Sequence, residues 1–283
     1  MAILKDNAQV LRVYEQGNTS LIVVLLGRQL GPFRVLVKGG RRWHKKGFEG
    51  GFDLLTRGQI LVYPRGGESL WIFKEWEERA RPALGASLLL LRAASFLCEL
   101  TEALTRPRAG AGTHPQAGDE SNRKLYDVLS AAADALAGGA SPGPLLMTFT
   151  LRALESEGLL PAFGRCGTCE RTFVKDACPV YLSGRGLYCR ECLARIGAPS
   201  PQAGRRVVVL RGADSGPAAP PVGFWLTPAA HGALLRLQKS ARPFGLDAAA
   251  GRQLGQALVL LVHAALERDL RTLPAAAVMV RKV

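Results

Sequence analysis

Two cysteine pairs, Cys166-Gly-Thr-Cys169 and Cys189-Arg-Glu-Cys192, separated by 19 residues, constrain this chain more than any other feature of its sequence. Two intervening residues let a tight knuckle aim both sulfurs at one point, and the longer excursion can return a second knuckle to the same point. The spacing predicts a four-thiolate ribbon over residues 161–198 that holds one structural Zn2+ through Cys166, Cys169, Cys189 and Cys192. Four protein ligands leave no coordination position open to water, so such a metal holds structure and does not hydrolyse. Binding of this kind is worth about 10–16 kcal/mol, enough to order a segment with few core side chains of its own. Phe173, Val174, Tyr181, Leu187 and Tyr188 are the candidates for that small core. An iron–sulfur cluster uses the same ligand type. Cys178, beside Pro179, is the rival ligand and is read as a spare thiol, while Cys98 falls in an apolar helical stripe and is read as core. None of His44, His114, His231 and His263 stands at ligand spacing from a knuckle, and none is assigned a metal role.

Ahead of the ribbon, β-rich runs at 10–14, 20–26, 33–37, 58–63 and 70–76 are punctuated by turn residues, among them Gly17-Asn18 and Gly31-Pro32. Five strands in so short a stretch predict a small antiparallel barrel over residues 1–80 and suit an oligonucleotide-binding (OB) barrel, although an SH3-like barrel or a sandwich fragment shares the periodicity. Apolar spacing of three and four predicts helices at 84–104, 122–136, 145–158, 228–239 and 246–270, the third capped by Gly158. Gly-, Pro- and Ala-rich stretches at 105–119 and 212–223 read as loops. The expected fold is therefore α+β: a five-stranded OB-type barrel, then a helical domain in two parts, 81–160 and 199–283, with the zinc ribbon at 161–198 inserted between them.

Charge narrows the class of partner. Thirty-seven Lys and Arg against 23 Asp and Glu give a formal charge of +14, which favours a polyanion such as nucleic acid. Clustering is more telling than the total. Between Gly27 and Phe48 stand Arg28, Arg34, Lys38, Arg41, Arg42, Lys45 and Lys46 with no acidic residue, and Trp43 lies among them. Cations with an interleaved aromatic ring suit single strands, which need phosphate neutralisation and ring stacking. These seven residues are the candidate phosphate contacts, and Trp43 is a candidate for stacking. Arg185, Arg190 and Arg195 raise the same question for the ribbon. No H-E-x-x-H, G-x-S-x-G, Walker loop or carboxylate cluster for two metal ions is present, and the chain is not expected to be an enzyme. The first residues lack the pattern of a secretory signal, no apolar run approaches membrane-spanning length, and the six cysteines read as reduced thiols, so cytoplasm is the expected location.

The order of parts, a barrel ending in Lys38-Gly-Gly-Arg-Arg42, helices, then Leu151-Arg-Ala-Leu-Glu-Ser-Glu-Gly-Leu-Leu-Pro161 leading into the cysteines, resembles the bacterial RecO family of recombination mediators over nearly the whole chain. Val262-His263 and Asp269-Leu270-Arg271 look like that family's closing segment, with Arg271-Thr272 where its members often carry Lys-Ser. The resemblance implies binding of single- and double-stranded DNA and annealing of strands coated by single-stranded DNA-binding protein, whose acidic tail would dock on the helical part. It further implies that, with RecR, the chain helps load the RecA recombinase. An RNA-binding protein with an OB barrel and a zinc ribbon is the alternative reading.

Overall fold

The computed structural model describes residues 3–41, 51–64, 70–105, 120–173, 179–195, 223–239, 247–266 and 268–281. It consists of two compact units, Met1–Ala140 and Ser141–Val283.

The first unit is built on five strands: β1 (Leu4–Gln16), β2 (Ser20–Gly27), β3 (Gly31–Val37), β4 (Arg57–Tyr63) and β5 (Leu70–Ala80). Antiparallel pairs β1–β2, β2–β3, β4–β5 and β1–β4, with a parallel β3–β5 contact, close the sheet in the order β1-β2-β3-β5-β4, the strand order of an OB barrel. Closure leaves no sheet edge unpaired. Alternation decides what fills it: on β3, Phe33, Val35 and Val37 are buried while Arg34 points out. Their partners inside include Val10, Val23, Leu25, Ile60 and Val62, and Phe52 joins them from the segment before β4. The β1–β2 turn holds Gly17 at φ 58°, a conformation that costs glycine little.

A second apolar layer lies outside the barrel. After a 3-10 turn (Leu84–Ala86), helix α1 (Leu88–Leu104) starts at Ser87, whose Oγ accepts the Leu89 amide N–H at 3.2 Å. This helix packs on β1, and helix α2 (Glu120–Ala137) packs on β2 and β3. Polar pairs stitch the layer down. Arg12 meets Glu102 at 2.9 Å, Ser130 donates to Gln9 at 3.3 Å, and Arg57 pairs with Asp134. Both helices thus belong to the barrel's unit, whereas sequence patterning grouped them with the later helices.

In the second unit α3 (Pro142–Ser156) ends as expected at Gly158, with φ 67°. The Leu159 N–H reaches the Leu154 carbonyl at 2.7 Å, and the Gly158 N–H reaches that of Glu155 at 3.0 Å, the double bond of a Schellman cap. A three-stranded sheet follows: β6 (Val180–Ser183), β7 (Gly186–Tyr188) and β8 (Gly223–Leu226), in the order β7-β6-β8. Helices α4 (Arg190–Arg195), α5 (Pro228–Lys239), α6 (Ala248–Leu266) and α7 (Leu273–Val280) complete the unit. Periodicity predicted one closing helix over 246–270. The chain instead stops α6 at Leu266 and restarts α7 with Pro274 in its first turn. Gly255 on α6 permits the close approach of α7, since a Cβ there would lie 2.7 Å from the Ala277 carbonyl oxygen. Among the described residues no helix is long and apolar enough to cross a membrane.

Candidate metal centre and cationic barrel face

The first knuckle forms because its backbone closes on itself. The Cys166 N–H donates to the Arg171 carbonyl at 2.9 Å and the Glu170 N–H donates to the Cys166 carbonyl at 3.0 Å, with Glu170 in the left-handed region at φ 57°. The Gly167 N–H donates to the Leu187 carbonyl at 2.8 Å, which fastens this knuckle to β7. The second knuckle runs from the end of β7 into α4, where the Leu193 N–H reaches the Cys189 carbonyl at 3.1 Å.

The result is a four-sulfur cluster: the Sγ atoms of Cys166, Cys169, Cys189 and Cys192 all lie within 4.8 Å of one another, and the set could hold a metal ion. Cys169 and Cys189 are 3.8 Å apart. A tetrahedron with Zn–S bonds of about 2.3 Å has edges of about 3.8 Å, so an ion of that size fits between these sulfurs. Exposure is uneven, with Cys166 and Cys192 buried, Cys189 half-buried and Cys169 exposed.

The electrostatics also favour a cation. Burial pushes the Cys166 thiol up, but the amide N–H groups of Cys169, Cys189 and Thr168 together outweigh it and bring that thiol down to about 6. At Cys192, burial and the neighbouring Cys189, Cys169 and Cys166 side chains push the thiol up to about 12. Four thiolates in one shell repel each other, so the cluster ionises only in part without a cation; a bound dication removes that penalty. Beside the exposed edge, Arg171 donates to Glu191 Oε1 at 2.9 Å; its guanidinium is raised by Glu191 first and by Cys169 and Cys189 after it.

Support for the cluster comes from side chains that no motif advertised. His231, 3% exposed, places Nε2 2.9 Å from the Phe163 carbonyl and its ring edge-on to Phe173, which secures the chain entering and leaving the first knuckle. It is a satisfied core histidine. Strand β8 pairs with β6, and Trp225 meets Tyr181 edge to face at 5.5 Å. Gln253 on α6 donates to the Trp225 carbonyl at 3.0 Å and accepts from the Thr227 amide at 2.9 Å, which holds β8 in place. Cys178 lies outside the described residues. Cys98 is buried and its thiol is pushed up to about 12, chiefly by burial, which makes it inert.

The cationic residues of the barrel part company. Arg28 makes a two-pronged contact with Asp127, at 3.0 and 3.1 Å. Arg41 lies 3.3 Å from Glu15 and donates to the Gly17 carbonyl at 3.2 Å. Arg34 and Lys38 are exposed on the outer side of β3 and just beyond it. Arg42, Trp43, Lys45 and Lys46 lie outside the described residues. Sequence reasoning missed Arg12, which sits over the Tyr14 ring at 5.8 Å; only the fold shows that Tyr14 is 41% exposed beside it.

Sequence comparison agrees with this architecture. The family profile described as "Recombination protein O N terminal" matches residues 1–79, and "Recombination protein O C terminal" matches residues 86–274. Similar proteins, each named DNA repair protein RecO, come from Rhodopirellula baltica, Anaeromyxobacter sp. strain K and Acidithiobacillus ferrooxidans. The first is 31% identical over 188 residues, or 65% of each chain; the second is 27% identical over 229 residues, 78% of this chain and 85% of the relative. The third is 30% identical over 195 residues, 65% of this chain and 67% of the relative. The match thus spans slightly less than two thirds of the Rhodopirellula protein's length. With both profiles together spanning most of its residues, an OB barrel under the first and the four-cysteine cluster under the second, this chain belongs to the RecO family of DNA repair proteins.

Proposed function

We propose that this chain is a non-catalytic, cytoplasmic mediator of recombinational repair. It binds single- and double-stranded DNA, anneals complementary strands coated with single-stranded DNA-binding protein, and with RecR helps load the RecA recombinase. The observation that carries this reading is a closed OB barrel in a RecO-family chain, with Arg34 exposed on the outer side of β3 and Lys38 exposed just beyond it. Lys38 leads into the segment that supplies Arg41, Arg42, Lys45 and Lys46. Held by their phosphates along such a row, strands keep their base edges free to pair, and annealing needs no nucleotide hydrolysis. Arg28 and Arg41, engaged with Asp127 and Glu15, contribute less to a phosphate track than Arg34 and Lys38. Zinc is the metal that best suits four thiolates at these separations, and the ribbon holds it for structure.

Annealing of complementary oligonucleotides precoated with single-stranded DNA-binding protein, without ATP, tests the reading. Acceleration over the spontaneous rate is expected, and binding that weakens as salt rises. No acceleration, together with stronger capture of a matched RNA than of DNA, would overturn it in favour of an RNA-binding role.

A further inference from the structure

The four sulfurs are not equivalent towards solvent. Cys166 and Cys192 are buried, whereas Cys169 is exposed, Cys189 is half-buried, and these two, one from each knuckle, face each other at 3.8 Å. Arg171 stands beside them and Glu191 anchors its guanidinium at 2.9 Å. A small solvent-borne oxidant therefore meets one particular sulfur first, and a second sulfur lies in reach of it. We propose that Cys169 is a modification site for hydrogen peroxide, and that its oxidation joins it to Cys189 in a disulfide that empties the metal site.

The chemistry balances without a further reactant. The Cys169 sulfur attacks one peroxide oxygen; an S–O bond forms, the O–O bond breaks and hydroxide leaves, giving a sulfenic acid. The Cys189 sulfur then attacks Cys169; the S–S bond forms, the S–O bond breaks and a second hydroxide leaves. Two electrons pass from the two sulfurs to the peroxide. Arg171, held at that edge by Glu191, stands where it can donate a hydrogen bond to the departing hydroxide. Only Cys166 and Cys192 remain as ligands, and two thiolates do not close a tetrahedral site. A disulfide between knuckles crosslinks the ribbon in a shape that a reductant and fresh metal can reverse. Buried Cys98 takes no part.

The proposal rests on zinc filling the four-cysteine site, and metal content measured before oxidation separates the two readings. A reduced, metal-loaded full-length sample is treated with about one equivalent of hydrogen peroxide. Released zinc is followed with a chromogenic chelator and the new linkages are mapped by peptide mass spectrometry. One zinc per disulfide, Cys169–Cys189 as the first linkage, and recovery of bound zinc after dithiothreitol and metal are expected. Arg171→Ala, which leaves all four ligands in place, should slow release about two- to fivefold. A first linkage through Cys166, Cys192 or Cys178, or zinc retained while Cys169 is oxidised, overturns the proposal. A sample that carries no zinc at the outset overturns the metal assignment instead.

Discussion

The barrel and the ribbon reach order by opposite means. The barrel buries a continuous apolar interior, from Ala8 and Val10 through Val35 and Val37 to Ile60 and Val62, most of it fully out of water. Each Val, Leu, Ile or Phe side chain among them contributes roughly 1.5–3 kcal/mol by leaving solvent, and the loss of one leaves the others in place. The ribbon has strands of four and three residues and a helix of six, and among its described residues Phe163, Val180, Tyr181, Leu182, Leu187 and Leu193 are the buried apolar side chains besides the cysteines. What it has in addition is one cluster of four sulfurs that could hold a metal ion. A distributed core is graded in its response to damage; a metal knot is close to all-or-none.

The largest effect should come from the knot. Cys192→Ser, or exhaustive chelation of the wild-type chain, should cost on the order of 5–10 kcal/mol locally and abolish amide-exchange protection across 163–173 and 179–193. Protection in β1, β2 and β3 should persist, and its loss would break the contrast between the two regions.

Acid should act in the same direction. Cys192, near 12 without metal, must give up its proton on loading, so metal binding near neutral pH should release protons; the dependence of calorimetric binding heat on buffer ionisation checks this. In the metal-free fold the two shifted thiols oppose each other. The raised Cys192 contributes stability below the ordinary thiol range that fades as pH climbs towards about 12. The lowered Cys166 contributes stability above that range that fades as pH falls through about 6.

Next in size, Ile60→Ala should remove about 2–5 kcal/mol from the barrel through a cavity that its closed sheet cannot collapse around. Chemical denaturation read out in the first unit should shift while the metal content of the sample stays as in the parent chain. For the proposed DNA contacts, Arg34→Glu with Lys38→Glu should weaken duplex binding by about tenfold or more and lower the salt slope by about 2, whereas Arg28→Ala, whose guanidinium faces Asp127, should leave the slope nearly as it was. Smallest is Gln253→Ala, which should cost about 1–2 kcal/mol and raise amide exchange in Gly223–Leu226 without loss of metal.

Legibility in the sequence follows the same division. Strand β2 could be read as an unbroken apolar run because both its faces are largely buried, and β3 and β4 as β-rich runs between turns with one face inside the barrel. The first turns of β1 could not, because Asp6 and Asn7 look like loop residues. In the fold Asp6, 5% exposed, accepts the amide N–H groups of Gln29 and Leu30 at 2.9 and 2.8 Å, and so orders the β2–β3 turn from another strand. The charged half of β5, Glu75 to Arg79, hides for a related reason: its main chain pairs with β4 while most of its side chains face water. Strand β8 is too short to show a period, and its position beside β6 depends on Gln253, a residue far along the chain.

The sequence by itself determined the four-cysteine set, the barrel's inward face and the cap at Gly158, because each rests on residues close together in the chain with a fixed chemical or steric requirement. Tertiary structure alone decided which unit holds α1 and α2, which of the clustered cations face a carboxylate, that His231 secures a knuckle, and which of the four clustered sulfurs meet solvent. Those outcomes depend on partners brought in from distant positions, and periodicity says that a side chain is turned inward or outward without saying what it will find there.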